Sequence, residues 1–251
     1  RRPFERVMVL RRVKNALMLY AKQKRLTRLV TDQVYEKEHN GVLMISILSH
    51  VVEFRNSESG QHVLHIRTLT DLLLHQLVQK TDRYQLDESD ISLISTASAL
   101  HDIGKIMIPE EILNKPGRLT EEEYATIKTH TTEGARILKG LAIGQDEPPV
   151  KVAHAICRWP HERWDGGGYP DRLKGDEIPI AAQVVSLADV YDALVSRRVY
   201  KEPYSGETAL SMILAGECGS FNPLLTECLC NISDKLINDI YSKTEATGGN
   251  T

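Results

Sequence analysis

"QHVLHIRTLTDLLLHQLVQ", residues 61–79, sets its apolar residues three and four positions apart. That spacing collects them on one face of an α-helix; a half-buried strand would need strict alternation. "VLMISILSHVVEF" at 42–54 repeats the pattern, and from residue 40 onward the chain reads as helix after helix. Asp87, with Asp90 three residues on, caps a helix through "SDISLISTASAL". Thr120 and Glu123 form a capping box for a helix that runs through His130 to Leu138. "GQDEPP" at 144–149 breaks the chain, and a helix follows from Val150 to about Trp159. A loop covers 165–178, and Pro179 suits the first turn of a helix over 179–196. Ser205 and Asn222-Pro223 open the last two helices. No period-2 run is convincing, so the fold class is all-α.

Residues 5–38 read as one long charged helix with apolar positions at Val13, Ala16, Leu17, Tyr20, Leu26, Val30 and Val34. Lys22, Gln23 and Lys24 interrupt the stripe. Such a helix either packs on its own domain or pairs between two chains as a signalling linker. The expected organisation is a linker helix at 1–39, a helical domain at 40–241 and a mobile tail at 242–251.

The chain has 251 residues, enough for one large domain, and a formal net charge of −3. No long basic run follows the first 30 residues, which argues against direct DNA binding. Cysteines stand at 157, 218, 228 and 230 without a CxxC pair. That usage is neither a zinc knuckle nor a disulfide framework and fits a reducing cytoplasm. The apolar runs are too short to span a bilayer. The chain opens "RRPFERV" without a methionine, as a fragment of a longer protein would.

Chemistry concentrates in "SALHDIGKIMIP", 98–109, where an apolar helix ends in adjacent His101 and Asp102, then Gly104 and Lys105. A histidine and an aspartate at the mouth of an apolar stretch are costly to bury unless something pairs with them. Further donors lie on other segments. His62 follows Glu58 by four residues, which puts both on one helix face; His130 sits in "IKTHTTEG". His161 heads the glycine loop "RWPHERWDGGGYP", 158–170, and Asp189 sits on an apolar helix in "SLADVYDAL". Each alone is more often structural than a ligand. Together they form a nitrogen and oxygen donor set without thiolate, which suits six-coordinate Fe, Mn or Ni better than a closed structural zinc site.

"HDIGKIMIPEEILNKPGRLTEEEYATIKTH", "HERWDGGGYPDRLKGDEIP" and "ADVYDALVSRRVYKEPYS" resemble the HD-GYP family of metal-dependent phosphohydrolases, over about 47–230. The resemblance implies an HD-domain-like helical bundle, two or three divalent metal ions, and hydrolysis of cyclic di-GMP to pGpG and onward to GMP. It implies that His62, His101, Asp102 and Asp189 hold one metal, and that Asp102 bridges to a second held by His130 and His161. Glu58 matches the glutamate of three-metal members. Asp102 and Lys105 would be catalytic, and Lys105, Arg198 and Lys201 would contact substrate phosphate. The loop Gly166–Pro170 is the namesake GYP element, linked in the family to diguanylate cyclase domains. "RPFERVMVLRRVKNALMLY" resembles the end of a response-regulator receiver domain, which implies such a domain upstream and a homodimer through the amino-terminal helix.

The chain departs from the family at Pro160, where a metal-ligand histidine is usual. Proline offers no lone pair and no N–H, and it biases Trp159 away from the α region. The helix should therefore end at or before Trp159, with His161 displaced from its usual seat. His154 lies about 240° further round the helix and points elsewhere; Cys157 could reach only if the helix shifts. His65, where relatives commonly carry arginine, reads as a structural substitution. Two outcomes follow: a working phosphodiesterase, or an impaired domain serving as nucleotide sensor or interaction module. Hydrolysis of another nucleotide is a third reading.

Overall fold

The computed structural model describes residues 6–55, 61–140, 144–196 and 202–236. Ten α-helices make up its frame, and no strand occurs among the described residues. They are α1 (Arg6–Arg55), α2 (Gln61–Lys80), α3 (Glu88–Ala97), α4 (Glu110–Leu113), α5 (Glu121–Lys128), α6 (His130–Lys139), α7 (Pro148–Arg158), α8 (Ile180–Val195), α9 (Gly206–Leu214) and α10 (Pro223–Leu236). Short 3₁₀ turns at Ser98–Leu100 and Ile103–Met107 flank His101 and Asp102. The chain forms two compact units, Arg1–Met44 and Ile45–Thr251.

The larger unit is built around α2 and α8. Ile66, Leu69, Leu73, Leu74 and Leu77 of α2 are fully buried, and so are Val184, Val185, Leu187, Ala188 and Tyr191 of α8. Ile91 and Ile94 of α3, Ile156 of α7, and Leu225 and Leu229 of α10 close the same core. α8 is apolar nearly all round, as a helix with neighbours on every side should be. Its few polar residues are therefore costly unless partnered, which marks Asp189 and Asp192 as functional or paired.

Helix starts follow local chemistry. Asp87 Oδ1 accepts from the Asp90 N–H at 2.9 Å, and Asp90 returns the bond to the Asp87 N–H. Thr120 and Glu123 do the same at α5, and Ser205 caps α9. The helix expected to run from Thr120 through His130 breaks instead at Thr129. Its N–H bonds to the Thr126 carbonyl, and its hydroxyl donates to the same oxygen at 2.7 Å. A threonine bonding back to its own helix competes with continuation, so α5 ends there and α6 begins with His130.

The two amino-terminal helices expected from the sequence are one. α1 runs from Arg6 to Arg55 without a break at residues 39–41. In the smaller unit Val13, Leu17, Leu26 and Val30 lie on its exposed surface, Leu17 and Leu26 each 63% exposed. No helix among the described residues is long and apolar enough to cross a membrane.

Candidate metal centre

Five segments deliver the donors. α2 carries His62 near its start, the turn between the 3₁₀ segments carries His101 and Asp102, α6 begins with His130, the chain after α7 carries His161, and α8 carries Asp189. They fall into two groups whose donor atoms lie within 4.8 Å of one another: His62, His101 and Asp189, and Asp102, His130 and His161. Asp102 faces both groups. Its Oδ2 lies 3.4 Å from His101 Nε2, and its Oδ1 lies 3.5 Å from His130 Nε2. His161 Nε2 is 3.2 Å from His130 Nε2, and His62 Nε2 is 3.7 Å from Asp189 Oδ1.

The other ring nitrogen of three of these imidazoles is engaged. His101 Nδ1 donates to the Ser98 carbonyl at 2.9 Å, His130 Nδ1 to the Ile127 carbonyl at 2.7 Å, and His62 Nδ1 to Asp192 Oδ2 at 2.7 Å. This fixes the ring orientation, so each Nε2 faces the site, where a cation would take its lone pair in place of a proton. His101 Nε2 is buried and makes no hydrogen bond among the described residues, its near neighbour being Asp102 Oδ2 at 3.4 Å. A buried nitrogen left open beside two carboxylates fits a cation, which satisfies its lone pair without a proton.

Charge in the site agrees. Burial opposes ionisation of Asp189, but the fields of His101 and His62 outweigh it and hold the carboxyl below its usual range. Burial also disfavours a charged His101, yet Asp102 and Asp189 raise it to about 9. The carboxylates thus impose a negative potential that draws a positive charge to His101. Burial pushes His161 down to about 3 and lowers His130, so both are neutral imidazoles ready to ligate. Lys105 Nζ lies 2.6 Å from Asp102 Oδ2.

Close backbone approach shapes the second group. A Cβ on Gly104 would stand 1.9 Å from the His130 carbonyl oxygen and 2.5 Å from the Gly134 N. The "HDIGK" glycine therefore lets the turn after Asp102 lie directly on the start of α6. Gly168 does the same in the glycine loop, where a Cβ would stand 2.4 Å from the Arg163 N. Tyr169 stacks on His161 with ring centroids 5.0 Å apart.

At the departure from the family, α7 ends at Arg158, and Trp159 closes it with φ −119° and ψ 24°. Pro160 is buried. His161 nonetheless joins Asp102 and His130, with its Nε2 3.2 Å from His130 Nε2. Cys157 does not replace the missing ligand. Its thiol donates to the Leu100 carbonyl at 3.1 Å, burial pushes its pKa up, and it joins neither group. His154 packs edge-on against Trp159, away from the donors. Glu58, Arg198 and Lys201 lie outside the described residues.

Sequence reasoning missed Asp192. Its Oδ2 accepts from His62 and its Oδ1 from His65 at 2.8 Å, while Ser196 donates to Oδ1 at 2.8 Å. His65 is thus a structural partner of the site, one turn after His62 on the same helix face. The signal was present as a second aspartate three residues after Asp189 on an apolar helix. Arg163 was also missed. Its Nη1 donates to Ser186 Oγ at 2.7 Å, and its guanidinium lies 5.1 Å from the centre of the Phe221 ring.

The profile of a family described as "HD domain" matches residues 44–221. A probable cyclic di-GMP phosphodiesterase of Vibrio cholerae serotype O1 is 40% identical over 80% of this chain and 46% of its own. A 3'3'-cGAMP-specific phosphodiesterase of the same organism is 38% identical over 76% of this chain and 34% of its own. The chain therefore spans less than half the length of these relatives. The crystal structure of a cyclic GMP-AMP phosphodiesterase from V. cholerae shares the fold at a TM-score of 0.55 and 21% identity, covering 83% of this chain and 51% of that one. With the profile spanning both donor groups, and with His101-Asp102 and the Gly168-Tyr169-Pro170 loop side by side in one site, the chain belongs to the HD domain family, in its HD-GYP form.

Proposed function

We propose that the chain is a metal-dependent phosphodiesterase for cyclic dinucleotides, with cyclic di-GMP as substrate, opened to pGpG and onward to GMP. The observation that carries this reading is the Asp102 carboxylate, which turns one oxygen to each of two buried donor groups. The activities named for the Vibrio relatives support the substrate class.

His62, His101, Asp102 and Asp189 would hold one divalent ion, and Asp102, His130 and His161 a second, with Glu58 available for a third. The nitrogen and oxygen donors favour Fe, Mn or Ni. Such ions supply Lewis acidity to the phosphate and lower the pKa of water at the site. Asp102 would bridge because a carboxylate has two oxygens, and Lys105 and His101 hold it ionised against burial. Lys105, kept beside Asp102, offers its ammonium to a non-bridging phosphate oxygen. Arg198 can take a phosphate with two parallel hydrogen bonds, and Lys201 adds charge.

Elemental analysis alongside hydrolysis of cyclic di-GMP, 3'3'-cGAMP and linear pGpG tests this. Asp102→Ala is expected to remove metal and turnover together; turnover within about tenfold of wild type would refute the site. Pro160 favours one competing reading, an impaired domain that binds nucleotide or protein. That reading wins if wild type retains less than about one metal per chain and is inert, while Pro160→His gains both.

We further propose a cytoplasmic protein with a receiver domain upstream, a homodimer paired through α1, and a GYP loop that meets diguanylate cyclase domains. The exposed Val13, Leu17, Leu26 and Val30 support the pairing. A strict monomer in sedimentation would refute it.

A further inference from the structure

The end of α1 grips the segment that follows the His101-Asp102 pair. Arg55 is the last residue of α1. Its Nη1 donates to the Lys105 carbonyl at 3.2 Å and also to that of Ile106, while its Nη2 donates to the Ile108 carbonyl at 2.7 Å. In return, Asn114 Nδ2 donates to the Arg55 carbonyl at 3.0 Å. Further up α1, the buried Ser49 donates to the Ala99 carbonyl at 2.7 Å. Ala99 stands just before His101 and Lys105 just after Asp102, so α1 holds both shoulders of the turn that carries the pair.

We infer that Arg55 is a positioning residue for the metal centre: its guanidinium fixes the 3₁₀ turn Ile103–Met107, and through it Asp102 and Lys105, while Ser49 fixes the turn's other side. The chemistry requires arginine. The Lys105 carbonyl already accepts from the Ile108 N–H at 3.1 Å, and three carbonyls, those of Lys105, Ile106 and Ile108, converge here on one charge. A planar guanidinium with five donors can serve them together, whereas an ammonium is a point charge on a flexible stem. Arg55 is in neither donor group, so its effect reaches the site only through the backbone it holds. The lever is short. Lys105 carries the gripped carbonyl, and its own Nζ lies 2.6 Å from Asp102 Oδ2.

This inference rests on the phosphodiesterase reading, and its test separates the two. Arg55→Ala and Arg55→Lys are compared with wild type for kcat and KM on cyclic di-GMP, for metal retention against a chelator, and for Tm. Loss of an outer partner of a metal site costs about 10–100-fold in affinity or activity. Arg55→Ala is expected to lose at least about tenfold in kcat and in metal retention, with KM within about threefold because Arg55 meets no substrate. Millimolar methylguanidinium should restore part of the lost kcat, which a general loss of folding would not allow. Arg55→Lys keeps stem and charge, should hold Tm close to wild type, and should still lose about fivefold or more in kcat. Metal retention and kcat within about twofold of wild type in both variants overturn the inference. So does a loss that follows the unfolded fraction and resists methylguanidinium. If wild type turns nothing over, the phosphodiesterase reading falls, while chelator competition on Arg55→Lys still decides the grip.

Discussion

Gly104→Ala tests whether the metal centre depends on backbone contact between the "HDIGK" turn and α6. The added Cβ would stand 1.9 Å from the His130 carbonyl oxygen and 2.8 Å from its carbon. Ordinary contact lies near 3.5 Å, so a gap of about 1.5 Å must open between two stretches of backbone. Neither side can swing away as a long side chain would. Overpacking a well-filled interior costs about 1–3 kcal/mol, and a backbone clash of this depth belongs at the upper end. For a domain of this size, about 3 kcal/mol lowers Tm by roughly 6–12 °C. The displaced residue is His130 itself, whose Nε2 is 3.5 Å from Asp102 Oδ1. A misplacement of about 1 Å can cost about 10²-fold in rate. Calorimetry, metal content and cyclic di-GMP hydrolysis on one preparation give all three readouts. Gly41→Ala is the control, since nothing lies within 4 Å of a Cβ there. A Gly104→Ala protein with Tm within about 2 °C of wild type and full metal content would refute the contact argument.

Asp192→Asn keeps the shape but lets the amide oxygen accept from only one of His62 and His65, leaving the other N–H facing an NH₂. Stability should fall by about 1–3 kcal/mol in chemical denaturation, and metal affinity by about 10–100-fold in competition titration. Asp171 is held below the usual carboxyl range, first by Arg158 and then by the Trp159 indole N–H, against burial. A depressed pKa contributes stability that is present above the unfolded value of about 3.9 and lost as pH falls through the folded one. The Tm gap between wild type and Asp171→Asn should therefore be full at neutral pH and close below about pH 4. Ser205→Ala removes the cap of α9 and should cost about 1 kcal/mol by denaturant midpoint.

The all-α class was legible because amphipathic spacing and capping chemistry are local. Asp87, Thr120 and Ser205 announce helix starts by their own side chains, and all three cap as the sequence implies. The break at Thr129 was illegible because threonines recur at 126, 129, 131 and 132 and nothing local marks the one where the helix stops; Thr129 turns both its N–H and its hydroxyl to the Thr126 carbonyl. The continuity of α1 across Gly41 was hidden for the opposite reason: a lone glycine in a charged stretch resembles a boundary. Side chains that meet across elements were legible only as types. Asp189 was visible as an aspartate on an apolar helix, but the two histidines that bond to Asp192 lie on α2, more than a hundred residues earlier.

Pro160 shows where type and geometry part. The sequence suggested a double cost, a lost ligand and a disturbed backbone. Helix α7 ends at Arg158, as the proline implies, and Trp159 closes it with its N–H on the Ala155 carbonyl. The Glu162 N–H then turns back to the Trp159 carbonyl at 3.2 Å, and the Tyr169 N–H bonds to the His161 carbonyl at 3.2 Å. None of these bonds uses an N–H at position 160, so proline's missing donor is not missed here. Tyr169, stacked on the imidazole, further holds His161 in place. These bonds lose nothing to the proline, and what the substitution takes from the second donor group is one lone pair. A group of Asp102, His130 and His161 still presents three donors, the number that catalytic metal sites commonly take from protein while keeping a position open to water or substrate.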